Sequence, residues 1–181
     1  MYPAIFLDRD GVIVENRENY ILQWSDVIIF PQAIDAIVNI SSTDYKLVII
    51  TNQSAVGRGM LALEDAISIN QRLVNVIVHS GGRIDGFYMC PHSPMDQCNC
   101  RKPLPGLFKQ AANELSLDFN HSIIIGDSWT DLLAGQAVGI PQKVLVRTGK
   151  GFTQSMLPAP PELSSYLLYD TLADALLNLV K

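Results

Sequence analysis

The sequence predicts an α/β fold, one parallel sheet with helices on both faces. Three observations predict it. Short apolar runs alternate along the chain with stretches of helical spacing. A cluster of polar, often acidic, residues follows most of the apolar runs. The composition, 48% hydrophobic and 17% charged in 181 residues, suffices for a buried core without disulfides.

Each element follows from its local pattern. "PAIFLD" reads as a first strand, "PQAIDAIVNI" as an amphipathic helix and "KLVIIT" as a second strand. "LALEDAISINQRLVNVIVHSG" carries apolar residues at helical spacing, and Gly81 and Gly82 stop it. "RIDGFYMC" is a shorter strand. "PGLFKQAANELSL", with proline near its start, reads as a helix. "HSIIIGD", "TDLLAGQAVG" and "QKVLVRTG" continue the alternation as strand, helix and strand. The Gly, Pro and Ser-rich stretch at 149–165 reads as a long surface connection. "SSYLLYDTLADALLNLV" gives a short strand and a closing helix. The whole chain, 1–181, is expected to form one domain.

Totals exclude several classes. Net charge is −5 with a pI of about 5.0, and no basic tract is present, which disfavours nucleic-acid binding. The start "MYPAIFLDRD" has no secretory pattern, and no apolar run approaches the roughly 20 residues of a membrane span. A cytoplasmic protein is the expectation.

Ligands of open parallel sheets bind beyond the carboxyl ends of the strands. Asp8 and Asp10 follow the first apolar run, Thr51, Asn52, Gln53 and Ser54 the second. Arg101 and Lys102 end the loop after the third, and Asp127 follows the fourth. All should gather at one sheet edge. Two carboxyls as close as Asp8 and Asp10 are either solvated turn residues or acids held around a cation. Gly11, directly after them, permits a tight turn.

All three cysteines lie within eleven residues, in "MCPHSPMDQCNCRKP". Cys90, His92, Cys98 and Cys100 can close a tetrahedral Zn²⁺ shell with no open position, a structural site spanning 90–100. The alternative is free or buried cysteines beside an unrelated histidine. Zinc here would fix Arg101 and Lys102 in place. His79 and His121 read as solvated or satisfied histidines. Trp24 and Trp129 suit either packing or substrate contact, and Asp131 either a helix cap or support of a metal's water shell.

In order and spacing, "DRDG", "ITNQS", "CRKP" and "IGDSWTD" resemble the four motifs of the haloacid dehalogenase superfamily of phosphatases. The resemblance runs to about residue 148, and implies a Rossmann-like sheet and phosphoryl transfer. Asp8 would be the nucleophile and Asp10 the acid and base. Thr51 and Lys102 would stabilise the transferring group. A catalytic Mg²⁺ would take Asp8, Asp127 and the main-chain carbonyl of Asp10. About 40 residues separate Asp10 from Thr51, and about 50 separate Thr51 from Lys102. Predicted elements fill both intervals, so no separate cap domain fits and the cleft should be open.

The zinc loop narrows the resemblance to the branch holding heptose-bisphosphate and histidinol-phosphate phosphatases. "TNQSAVGRGML" looks more like the heptose enzymes. That resemblance implies a sugar bisphosphate, with Asn16, Tyr20, Asn52, Gln53, Ser54 and Arg101 touching it, in a monomer. Arginine's planar fork suits a second phosphate or a carboxylate. Two departures stand out: a slightly long link at "VENRENY", and Ser128 where the heptose enzymes carry lysine. Histidinol phosphate and a nucleic-acid 3′-phosphate are alternative substrates. A non-catalytic zinc-stabilised binding module is the alternative from another class, but it gives no reason to keep Asp8, Asp10, Lys102 and Asp127 together.

Overall fold

The computed structural model describes residues 1–180. Six strands form one sheet: β1 (Tyr2–Leu7), β2 (Lys46–Asn52), β3 (Gly86–Cys90), β4 (Leu117–Gly126), β5 (Gln142–Val146) and β6 (Leu167–Tyr169). Their order across the sheet is β3-β2-β1-β4-β5-β6, and every pairing is parallel. The chain moves outward from β1 to one edge, returns to β4, and moves outward again. The order reverses at β1 and β4, and a crevice opens there at the carboxyl ends.

Central strands buried on both faces need continuous apolar runs rather than alternation. β1 supplies one, with Ala4 to Leu7 wholly buried. Successive side chains serve opposite layers. Ile5 and Leu7 join Ile37, Leu47, Leu73 and Ile125 on one side. Ala4 and Phe6 join Val48, Ile50, Phe108 and Ile124 on the other.

Helices cover both layers. α1 (Pro31–Ile40) starts on proline, whose missing N–H is harmless in the first turn, and buries Ala33, Ala36, Ile37 and Ile40. α2 (Ser54–Gly57) is one turn. α3 (Leu63–His79) buries Ala66, Ile69, Asn70, Leu73 and Ile77. α4 (Gly106–Leu115) packs on the second layer through Leu107, Phe108 and Ala111. α5 (Trp129–Gln136) and α7 (Leu172–Leu179) each begin in a capping box, Ser128 with Asp131 and Thr171 with Asp174.

Two expectations need correction. The segment at 149–165 is not only a surface connection, because Gly151–Ser155 form a short helix, α6, against β5. β4 also starts earlier than "HSIIIGD" suggests: Ser116 takes a left-handed turn (φ 55°), ends α4, and lets Leu117 pair with Tyr2. No described helix is long and apolar enough to cross a membrane.

Candidate active site

Strand register sets the site. Leu7 lies level with Ile49 and Ile125, so Asp8, Thr51 and Asp127 leave adjacent strands at nearly one height. The Asp8 N–H donates to the Ile125 carbonyl at 3.0 Å, holding the first acid at the edge. A cleft of about 630 Å³ opens over these ends. Asp8, Asp10, Asn16, Tyr20, Asn52, Gln53, Ser54, Arg101, Lys102 and Asp127 all line it. Thr51 does not; it is fully buried just below, its hydroxyl accepting from Gln53 Nε2 at 2.8 Å.

Lys102 is buried with three acceptors for its three protons. Its Nζ lies 2.8 Å from Asp8 Oδ1, 2.6 Å from Asp131 Oδ1 and 2.8 Å from the Ile50 carbonyl. Its backbone is pinned too, since the Asn52 amide donates to the Lys102 carbonyl and accepts from its N–H. Asn52 therefore holds the lysine as well as facing the cleft. Asp131 turns out to do two things. It closes the α5 cap by accepting the Ser128 N–H, and it pairs with Lys102.

Carboxyl oxygens of Asp8, Asp127 and Asp131 lie within 4.8 Å of one another. The Asp10 side chain stands apart, bound to Arg9 and Gln53, which leaves only its main-chain carbonyl for a metal. Burial pushes Asp8 up to about 7; Lys102 pulls it back, while Asp131 and Asp10 push it further. Burial, with the charges of Asp8 and Asp131, raises Asp127 to about 8. Burial alone would lower Lys102, but the charges of Asp131 and Asp8 more than offset it and hold the ammonium above its ordinary range. One ammonium faces three buried acids, all hard oxygen donors. That deficit of positive charge suits Mg²⁺.

Asp127 is clasped by backbone. A Cβ on Gly11 would stand 2.0 Å from Asp127 Oδ2, and one on Gly149 would stand 2.2 Å away. Both glycines have positive φ. The Lys150 N–H donates to the same oxygen at 2.8 Å, and the Thr148 hydroxyl donates to the Gly11 carbonyl at 2.5 Å. Lys150 and Thr153 line the cleft, as does Ser128. The surface-connection reading of 149–165 missed these contacts.

The cysteine loop converges on one point. Cys90, His92, Cys98 and Cys100 bring their ligand atoms together, with Nδ1 the histidine atom involved. The close pairs among these atoms are separated by 3.2 to 3.6 Å. A tetrahedral shell with bonds of about 2.0–2.3 Å requires roughly 3.4–3.8 Å between ligands, so the donors fit zinc in kind and need to spread by at most about half an ångström to hold it. Burial pushes Cys98 up, but the N–H groups of Cys100 and Arg101 outweigh it and bring the thiol to about 7. Cys90 ends β3 beside Asn52, and Arg101 follows Cys100 with its guanidinium on the His92 carbonyl.

Neither tryptophan lines the cleft. Trp24 lies under the Arg72 guanidinium, and Trp129 packs edge-on against Tyr166. His79 and His121 are exposed, bonded to Asn75 and Asp118.

Known proteins resemble this chain in sequence and fold. A family model described as HAD-hydrolase-like matches residues 99–175. The D-glycero-beta-D-manno-heptose-1,7-bisphosphate 7-phosphatase of Yersinia pestis is 37% identical over 179 residues, 95% of this chain and 92% of that one. The chain belongs to the haloacid-dehalogenase-like phosphatases. The Pseudomonas aeruginosa relative of that same name is 37% identical over 93% of each chain. Among solved structures, the D,D-heptose 1,7-bisphosphate phosphatase of B. bronchiseptica, complexed with magnesium and phosphate, superposes with a TM-score of 0.90. It is 32% identical, covering 98% of this chain and 97% of its own. As a haloacid-dehalogenase-like phosphatase, the protein is a phosphoric monoester hydrolase. The fold class and the family resemblance expected from the motifs are both borne out.

Proposed function

We propose that the protein removes the 7-phosphate of D-glycero-β-D-manno-heptose 1,7-bisphosphate, leaving the 1-phosphate. Similarity over nearly the full length to enzymes named for that reaction carries the substrate. The arrangement of acids around Lys102 supports the chemistry.

An Asp8 oxygen attacks phosphorus, the phosphorus–oxygen bond to the sugar breaks, and its electron pair leaves with the sugar oxygen. Asp10 gives that oxygen a proton. Water then attacks the aspartyl-phosphate, Asp10 takes its proton, and the acyl-phosphate bond opens to free inorganic phosphate and Asp8. Lys102 holds the Asp8 carboxyl in line and offsets charge on the transferring group, while Thr51, buried just below the cleft, holds Gln53 rather than the phosphate. Asp8, Asp127 and the Asp10 carbonyl would hold Mg²⁺, which supplies Lewis-acid neutralisation of phosphate charge. Asn16, Tyr20, Ser54 and Arg101 face the sugar and its second phosphate across the open cleft. Cys90, His92, Cys98 and Cys100 would hold structural Zn²⁺, keeping Arg101 and Lys102 in register.

Phosphate release measured on heptose 1,7-bisphosphate, histidinol phosphate and a 3′-phosphorylated oligonucleotide tests the substrate. The bisphosphate should have the highest kcat/KM. Faster turnover of histidinol phosphate would overturn the assignment.

A further inference from the structure

Arg9, between the two acids, is not a spacer. It is buried, and its guanidinium is bound on every side. Nη2 lies 2.8 and 3.0 Å from the two oxygens of Asp10, and Nε lies 3.3 Å from the first of them. Nη2 also donates to Gln53 Oε1 at 2.9 Å. Nη1 donates to Asn70 Oδ1 at 2.6 Å. Gln53 returns from the other side, its Nε2 donating to Asp10 Oδ2 at 2.8 Å.

Asn70 anchors the far end. It sits in α3, 61 positions along the chain from Arg9, at a register otherwise filled by Ala66, Ile69, Leu73 and Ile77. It too is buried, and its amide nitrogen points to Met89 Sδ, which leaves the oxygen for Arg9. A polar side chain in an apolar stripe is unfavourable unless its bonds are made. Here they lead through one buried fork to a carboxyl that opens into the cleft.

We propose that Asn70 and Arg9 are positioning residues that fix the direction of the Asp10 carboxyl, making proton delivery to the leaving oxygen depend on a helix outside the four motifs. The inference rests on the proposed acid role of Asp10 but not on the identity of the sugar. A forked pair holds both oxygens of an acid in one plane. Without the Asn70 anchor, the guanidinium keeps its charge near Asp10 but loses its fixed direction.

The test compares leaving groups. A sugar alkoxide needs a proton as it departs, whereas p-nitrophenolate leaves without one, so only the first depends on a well-aimed acid. With Mg²⁺-loaded enzyme, kcat/KM is measured for heptose 1,7-bisphosphate and p-nitrophenyl phosphate. Histidinol phosphate, also an alkyl ester, serves equally for the first. Asn70→Ala should lower kcat/KM for the alkyl ester about tenfold or more and change the aryl ester by less than about threefold. Asn70→Asp, which keeps the acceptor oxygen, should restore most of the loss. Equal loss on both esters, or no loss on either, overturns the proposal. If Asn70→Ala does not fold, Arg9→Lys, which keeps the charge but not the fork, carries the same comparison. Asp10→Asn separates the two readings. It should itself show the alkyl-selective loss, and if it does not, the acid role of Asp10 fails and the inference with it. If it does while Asn70→Ala does not, the inference alone fails.

Discussion

Lys102 Nζ stands 2.8 Å from Asp8 Oδ1, and this buried ion pair joins two segments 94 residues apart in the chain. Removing one partner of such a pair leaves the other charge buried and unopposed, at about 3–5 kcal/mol. Lys102→Met should therefore weaken folding by an amount in that range, read from urea denaturation. It should also cut turnover by about 100-fold or more, read as phosphate release. A variant as stable as wild type and retaining a tenth of its activity would show that the pair neither holds the fold nor orients the acid.

Gly11→Ala should disable the acidic cluster without touching an acid. The added methyl meets Asp127 Oδ2 at 2.0 Å, on a backbone with φ of +82° that alanine adopts poorly. Asp127 must move. The rise in Tm that Mg²⁺ gives wild type should vanish in the variant, while metal-free Tm drops by several degrees. An unchanged Mg²⁺ response would mean that Asp127 is not the ligand.

Burial raises Asp8 to about 7 and Asp127 to about 8, so the folded protein holds these protons more tightly than the unfolded chain does. For such groups stability is fully present below the unfolded value, near 3.8, and is lost as pH rises through 7 and 8. Mg²⁺ needs both acids ionised and displaces their protons, so its stabilisation should grow over that interval. Tm measured with and without Mg²⁺ from pH 6 to pH 8.5 should diverge steadily as the pH rises. A constant difference would contradict the assignment.

Elemental analysis of purified, reduced protein should find about one zinc per chain. Cys98→Ser should release it and lower kcat, because Cys100 leads directly into Arg101 and Lys102. Zinc-free protein with full turnover would separate the loop from the reaction.

Much of this was legible because parallel sheets gather strand ends. Asp8, Thr51, Lys102 and Asp127 each follow or approach a buried run, and topology alone brings them to one edge. The remaining contacts depend on facing partners. Asn70 had a signal, a polar residue at an apolar helical register, but its partner Arg9 lies on another element. Asp131 looked like a cap or a metal neighbour; pairing with Lys102 is a contact no local pattern encodes. Lys150 reaches Asp127 through its backbone N–H, which carries no side-chain signature. In sequence Gly11 reads as a turn residue, and its second duty, leaving room for Asp127, depends on a partner 116 positions along the chain.

The Asp127 clasp has a temporal consequence. Gly11 and Gly149, which close together on one carboxyl oxygen, emerge from a ribosome far apart in time. The nascent chain carries Asp8 from the outset, yet the cradle stays open until residues 148–150 arrive. Prematurely terminated products ending before that point would be inert, even though each of the four motifs is already written in them.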